Sequence, residues 1–337
     1  MSKRTPEPSD RLIPGQAAVT LEVVLCTFNG ERFIAEQLRS ILAQTRPVDL
    51  ISVYDDGSSD ATLTLVEACA TEAAAVGVRI CAVRNERNLG YAQNFGHGLE
   101  RSSCEIVLFS DQDDVWEPTK VERLLGVMEQ RGCAMAFSDG TLIDAHGASI
   151  PGPTVLQGYG LSGGAEANFN ARAWPLLLRR NYVNGAAMAV RRKAAMGALP
   201  IPDAFPHDYW LALWLAEEGG IVCMPEPLYR YRQHQNNTIG VGRSTLHHQL
   251  AAIWRNPSPS RRQDLRRSKT LLERLPVGDP RRVNVEEKYA WLVRVADERN
   301  RLLRMINIAN SWLRGEYSQF GPPYALLRDL VAAIRLR

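Results

Sequence analysis

Two acidic clusters are the densest sites of possible chemistry in this chain. Asp55-Asp56-Gly57-Ser58-Ser59-Asp60 follows one apolar run, and Asp111-Gln112-Asp113-Asp114 follows another. Three acids in four positions repel one another unless a cation lies among them. Hard carboxylate oxygens suit Mg2+ or Mn2+. Asp55–Asp60 also has a plainer reading, a turn whose Ser and Asp side chains cap the next helix. Asp208 precedes an apolar stretch with Trp210 and Trp214, so it is either a helix cap or a general base. His234, in Arg232-Gln233-His234-Gln235-Asn236, is either a loop residue or a further metal contact.

Several other chemistries lack their residues. No GxGxxG follows the first apolar run, and no GxxxxGK[ST] cradle, HExxH or GxSxG is present. The six cysteines form no CxxC pair, which argues against a zinc ribbon or dithiol site. Several lie in apolar runs and read as buried free thiols of a reducing compartment.

The elements that must position these acids follow from periodicity. Leu21–Cys26, Leu50–Tyr54, Val78–Val83, Glu105–Phe109 and Ala134–Ser138 read as strands. Glu31–Gln44, Ala61–Ala75, Tyr91–Glu100 and Lys120–Arg131 read as the helices between them. Such alternation predicts βαβ units around a mostly parallel sheet. Ligands of open parallel sheets bind outside the carboxyl ends of the strands, so both acidic clusters are expected at one edge. Residues 145–165 read as a long Gly/Pro/Ser-rich loop, Asn184–Val190 as a strand, and Asp208–Glu218 as a helix.

With 337 residues, 45% hydrophobic and 23% charged, the chain has the composition of a soluble globular protein with a large core. No apolar run reaches the 18 residues of a membrane span. Residues 1–18 read as a loose tail without a signal-peptide core. Residues 240–337 hold 19 Lys/Arg against 9 Asp/Glu, while the remainder has 21 against 28. A basic segment on an acidic body suggests an anionic partner. Val285, Tyr289, Leu292, Ala296, Leu303, Ile306 and Leu313 predict one long amphipathic helix carrying Arg294, Arg299, Arg301 and Arg304. Such a helix is a solvated face, a dimer contact or an anchor to an anionic membrane surface. Nucleic acid is not expected, because no recognised binding module accompanies the charge.

The first 240 residues resemble the family-2 inverting glycosyltransferases of GT-A fold. The resemblance rests on an ordered set of segments. Val24-Leu25-Cys26-Thr27-Phe28-Asn29-Gly30 comes first, then Asp55–Asp60, Asn88-Leu89-Gly90 with Asn94, and Asp111-Gln112-Asp113-Asp114-Val115-Trp116. Asn184-Gly185-Ala186 and His207-Asp208-Tyr209-Trp210 complete it. Phe28-Asn29-Gly30, Asp111–Trp116 and Tyr231-Arg232-Gln233-His234-Gln235-Asn236-Asn237 are similar to rhamnosyltransferase-like members that build bacterial surface polysaccharides.

The resemblance implies a GT-A domain over 19–240 and a basic helical extension over 241–337. It implies that Thr27, Asn29, Glu31, Asp56, Asn88 and Asp111 bind the nucleotide donor, with Asp56 accepting a hydrogen bond from a pyrimidine base. Asp113 and His234 would hold Mg2+ or Mn2+, and Asp208 would be the base. Asn184, Gly185 and Trp210 would meet the acceptor. The implied donor is a dTDP- or UDP-sugar, with dTDP-L-rhamnose foremost. The implied acceptor is a glycan or lipid-linked oligosaccharide. The expected place is the cytoplasm, at the inner face of a membrane. Two rivals stay open: a sugar-nucleotide-binding protein without transferase activity, and a carboxylate-pair glycoside hydrolase.

Overall fold

The structure, a computed structural model, describes residues 19–161, 163–217, 219–235, 259–296 and 300–334. The amino-terminal part alternates as the sequence predicts: β1 (Leu21–Thr27), α1 (Ile34–Leu42), β2 (Leu50–Asp55), α2 (Thr62–Ala75), β3 (Arg79–Arg84), α3 (Tyr91–Arg101) and β4 (Ile106–Ser110). β1 and β4 are buried along their whole length, as central parallel strands covered by helices on both faces must be. α1 turns Ile34, Leu38 and Ile41 inward at spacings of four and three.

The chain continues through β5 (Val115–Trp116), α4 (Lys120–Arg131), β6 (Met135–Ile143), α5 (Val155–Gly158), α6 (Ala165–Ala171), α7 (Ala173–Arg179), β7 (Met188–Arg191), α8 (Arg192–Ala195), α9 (His207–Leu215) and β8 (Ile221–Arg232). The eight strands form one sheet in the order β3-β2-β1-β4-β7-β6-β8-β5. β3-β2-β1-β4 is parallel throughout, β6 and β8 are parallel, and β7 and β5 pair antiparallel with their neighbours.

Several boundaries depart from the sequence reading. Only Met188–Arg191 of the expected Asn184–Val190 strand is extended, because Gly185–Ala187 forms a 3-10 turn. The expected 145–165 loop contains α5, which Thr154 and Gln157 close with a reciprocal capping box. β8 is twelve residues long, yet Pro225 and Pro227 hide it, since proline argues against a strand interior. The β6–β8 pairing shifts register between Ser138 and Asp139, opposite those prolines.

The C-terminal segment folds as α10 (Pro259–Arg274), α11 (Arg281–Ala296), α12 (Arg301–Leu313), α13 (Glu316–Phe320) and α14 (Ala325–Ile334). The single helix expected over 285–313 is two helices. Asn300 has extended backbone, and its side chain caps α12 by accepting from Leu303 N–H at 3.1 Å. Arg299 and the 1–18 tail lie outside the described residues.

These helices share one continuous apolar core with the sheet domain: Leu271, Val285, Trp291 and Leu292 belong to it together with Leu177 and Trp210. Basic residues knit the seam. Arg267 donates to the Ala204 carbonyl at 2.9 Å, and Arg274 to the carbonyls of Ala198, Leu199 and Pro200. Arg281 bonds the Trp214 carbonyl, and Lys288 the Leu178 carbonyl. Much of the C-terminal positive charge is therefore internal. Arg304, expected on an exposed basic face, is buried.

Candidate active site

Parallel registration brings the acids together. Thr27 lies opposite Asp55, and Leu25 opposite Ser110, so the segments after β1, β2 and β4 emerge at one sheet edge. There the residues of Asp111–Asp114 diverge. Gln112 turns back to β1, where its carbonyl oxygen accepts from the Thr27 hydroxyl at 2.6 Å and from Phe28 N–H at 2.9 Å. Glycine at 30 permits this, because a Cβ would stand 2.2 Å from that oxygen. Asp114 points into the core and accepts from Arg232 N–H at 3.0 Å. Asp111 and Asp113 remain partly accessible.

Asp113 meets His234, with Oδ2 and Nε2 2.8 Å apart. The imidazole packs on Phe33 at 5.0 Å between centroids. Arg232 holds this corner. It donates to the Asp113 carbonyl at 2.7 Å, pairs with Glu36 at 2.6 Å and covers the same Phe33 ring. Among the described residues no three His, Cys, Asp or Glu side chains form a cage for a metal. The Asp113–His234 pair supplies two converging donors from different elements and leaves the rest of a coordination shell to other oxygens. Such a set fits Mn2+ or Mg2+, which commonly keep waters and take oxygens from a bound phosphate.

The residues expected around the nucleotide mainly brace the loops after β1, β2 and β3 against one another. Asn29 is in the left-handed region at φ 49°, where Asn is tolerated. Its N–H donates to Ser58 Oγ, and its side-chain oxygen accepts from Ser59 N–H, both at 2.9 Å. The Glu31 carboxylate accepts from Ala61 N–H at 3.0 Å, at the start of α2. Asp55 is fully buried and accepts from Ser58 N–H, the turn role open to it from sequence. Asp56 accepts from Leu89 N–H at 2.7 Å, Gly90 N–H at 2.8 Å and the Asn85 amide at 2.9 Å. A carboxylate offers about four acceptor positions, so one remains for a ligand N–H. The Asn88 amide donates to the Asp56 carbonyl at 3.0 Å.

Asp208 lies in the first turn of α9, and its Oδ1 accepts Tyr209 N–H at 2.5 Å. Asn181 and the Gly185 backbone lie near enough to its carboxylate to draw its pKa down in part. Pro206 is the N-cap of α9, so Asp208 is not the helix cap, and burial raises its pKa to about 6. Asp111 is raised by burial first, then by the charges of Asp113 and Asp208. Asp114 is raised well above its usual value by burial. Lys120, beneath the acids and over the Trp116 ring at 4.0 Å, is lowered by burial against the pull of Asp114 and Asp111. His207 stacks on Phe95 at 4.0 Å, and burial holds it near 3, so it stays neutral and structural.

Trp210 corrects an expectation. It is 0% exposed, and its indole N–H donates to the Ala198 carbonyl at 2.7 Å, so it is core and offers no face to an acceptor. Gly185 lies beside Asp208 and His207: a Cβ there would come 2.5 Å from His207 Nε2. Asn184 caps the 3-10 turn and bonds Tyr159. Gln112, Lys120, Tyr159, Asn181 and Arg232 carry parts of the site that the sequence reading did not assign. Of these, Gln112 and Arg232 lie within the Asp111–Trp116 and Tyr231–Asn237 motifs, whereas Lys120 looks like any first-turn helix residue. A groove of about 1110 Å³ runs from Asn85–Leu89 along α3 to Leu199–Asp203; it borders Asn88 but contains neither Asp113 nor Asp208.

A parallel β3-β2-β1-β4 half continued by a mixed half, with paired acids at its carboxyl edge, defines a GT-A-type transferase fold. A sequence model of Glycosyl transferase family 2 matches residues 22–195, just over half of the chain, and the chain belongs to that family. An uncharacterized glycosyltransferase of Haemophilus influenzae is 25% identical over 66% of this chain and 68% of its own length. A Bacillus subtilis protein named as a teichuronic acid biosynthesis glycosyltransferase, TuaG, is 29% identical over 39% of this chain and 50% of its own. The fold is similar to the Pyrobaculum calidifontis mannosyltransferase PcManGT in complex with GDP-Man and Mn2+. That match has a TM-score of 0.53 and 15% identity, and covers 96% of this chain and 90% of the other. It is also similar to S. aureus TarS 1–349 in complex with UDP-GlcNAc, at a TM-score of 0.51 and 15% identity, over 94% and 89%.

Proposed function

We propose that the chain transfers a sugar from a nucleoside-diphosphate donor to a hydroxyl of a growing surface glycan by an inverting single displacement. The observation that carries this reading is the Asp113–His234 pair, 2.8 Å apart, with Asp111 close enough to Asp113 and Asp208 for both charges to raise its pKa. Asp113 and His234 would hold Mg2+ or Mn2+, which when bound neutralises charge on the diphosphate leaving group. Asp56 keeps one acceptor position for a base N–H, and the Gln112-braced Thr27–Glu31 loop walls the cleft. Asp208 accepts the proton of the acceptor hydroxyl as that oxygen attacks the anomeric carbon and the bond to the diphosphate breaks. Near neutral pH it is ionised, and its raised pKa makes it a stronger base than an exposed carboxylate. No covalent enzyme nucleophile is needed.

The donors to test first are dTDP-L-rhamnose and UDP-sugars, with GDP-sugars as the contrast. Thermal stabilisation by each donor with and without Mn2+ identifies the ligand, because a ligand specific for the native state raises the melting temperature. Transfer to a glycan acceptor, abolished by EDTA, is the expected result. Donor binding without any turnover would favour the sugar-nucleotide-binding protein. Cleavage of glycosides without nucleotide or metal would favour the hydrolase.

A further inference from the structure

The outermost C-terminal helix carries an apolar stripe that nothing in the described fold covers. On α12, Leu302, Ile306, Ala309 and Leu313 follow one another at spacings of four, three and four, which places them along one side of the helix. Leu302 is 71% exposed, Ile306 47% and Leu313 74%. The opposite side of α12 buries Arg304, Ile308 and Ser311 against its neighbours, so the helix is seated and its outward face is fixed. Trp312 flanks the stripe and is 59% exposed. Tyr324 and Leu327, at the start of neighbouring α14, are also exposed.

Charge decides what covers this face. Residues 300–315 contain three arginines and no acid. Arg301 and Arg314, one at each end of the stripe, are exposed. A second copy docking by a two-fold axis would set these arginines against one another. Anionic headgroups would instead neutralise them, while leucine and isoleucine enter the acyl boundary and tryptophan lies at the interface. We infer that α12 is a membrane-surface helix, which rests the protein on an anionic lipid leaflet through Leu302, Ile306 and Leu313 with Arg301 and Arg314 at the headgroups.

Sedimentation of the full chain with sized vesicles tests this, and needs neither donor nor acceptor, so its outcome is separate from the transferase reading. The wild type is expected to pellet with phosphatidylglycerol-containing vesicles and not with pure phosphatidylcholine. Ile306→Glu/Leu313→Glu, at exposed sites that leave the core intact, is expected to lower partitioning at least about tenfold with an unchanged melting temperature. Arg301→Gln/Arg314→Gln is expected to weaken it by about tenfold, and added salt to do the same. Failure of the wild type to pellet overturns the inference. So does equal pelleting with both lipids, or a glutamate variant that keeps vesicle binding while converting a dimer to a monomer by light scattering.

Discussion

Asp208 combines an acceptor bond in the first turn of α9 with a pKa raised by burial. The Tyr209 N–H donates to it, and burial lifts its pKa to about 6. Asp208→Asn is expected to keep donor binding by calorimetry and to lose on the order of 10²–10⁴-fold in kcat. The acid limb of wild-type kcat/KM is expected near pH 6, where the base becomes protonated. The same shift has a stability sign. A carboxyl group raised above its unfolded value favours the fold below about pH 4, and that contribution is lost as pH rises through about 6. The stability of Asp208→Asn relative to wild type should therefore improve by roughly 2–3 kcal/mol between pH 4 and 8 in denaturant titrations. A pH-independent difference would remove the desolvation argument. Asp113→Asn and His234→Ala are expected to weaken the Mn2+ dependence of donor binding at least about tenfold each, measured by titrating Mn2+ at fixed donor. The magnitude is that of disturbing a small ligand set.

At the scale of elements, the site is a set of loops braced to one another. The segment after β1 is tied to the segment after β4 by Gln112 and to the segment after β2 by Asn29 and Glu31. Gln112→Ala removes three hydrogen bonds, to Thr27, Phe28 N–H and the Phe28 carbonyl. The expected result is a loss of about 1–3 kcal/mol in unfolding and a raised donor KM with a smaller change in kcat. Gly185→Ala probes the other side. Its Cβ would press on His207, which is clamped against Phe95 and has little room to move, so the start of α9 must shift and carry Asp208 with it. A fall in kcat of at least about tenfold with an unchanged donor KM is expected in steady-state assays.

For the molecule as a whole, the C-terminal helices act as part of the body. Arg267 and Arg274 satisfy carbonyls of the segment leading into α9, Arg281 one in its last turn, and Lys288 one at the end of α7. The full chain is expected to unfold in a single thermal transition. A chain ending at residue 240 should lose that cooperativity or aggregate, because Trp210 and Leu177 would lose part of the core they share with Val285 and Trp291. Arg274→Ala should destabilise by about 1–3 kcal/mol in denaturant titration, leaving three carbonyls without its donors.

Much of this was legible in sequence where the signal is local. The βαβ alternation, the strand-end position of both acidic clusters and the family follow from periodicity and ordered motifs, because parallel strands buried on both faces must read as short apolar runs. β8 was hidden because its prolines are tolerated only through a register shift that depends on β6. Trp210, which the resemblance implies as an acceptor contact, is turned by α9 into the core, while the charge of Asp208 reaches Asp111. The basic tail looked like an exposed charge patch because composition counts charges without direction. Folding turns Arg267, Arg274, Arg281 and Lys288 inward and leaves Arg301 and Arg314 outward. Residue types and their order thus determined the class of chemistry and the sheet that supports it. Only tertiary packing decided which acids keep an open face and which cations are internal, because burial and direction belong to contacts between segments distant in the chain.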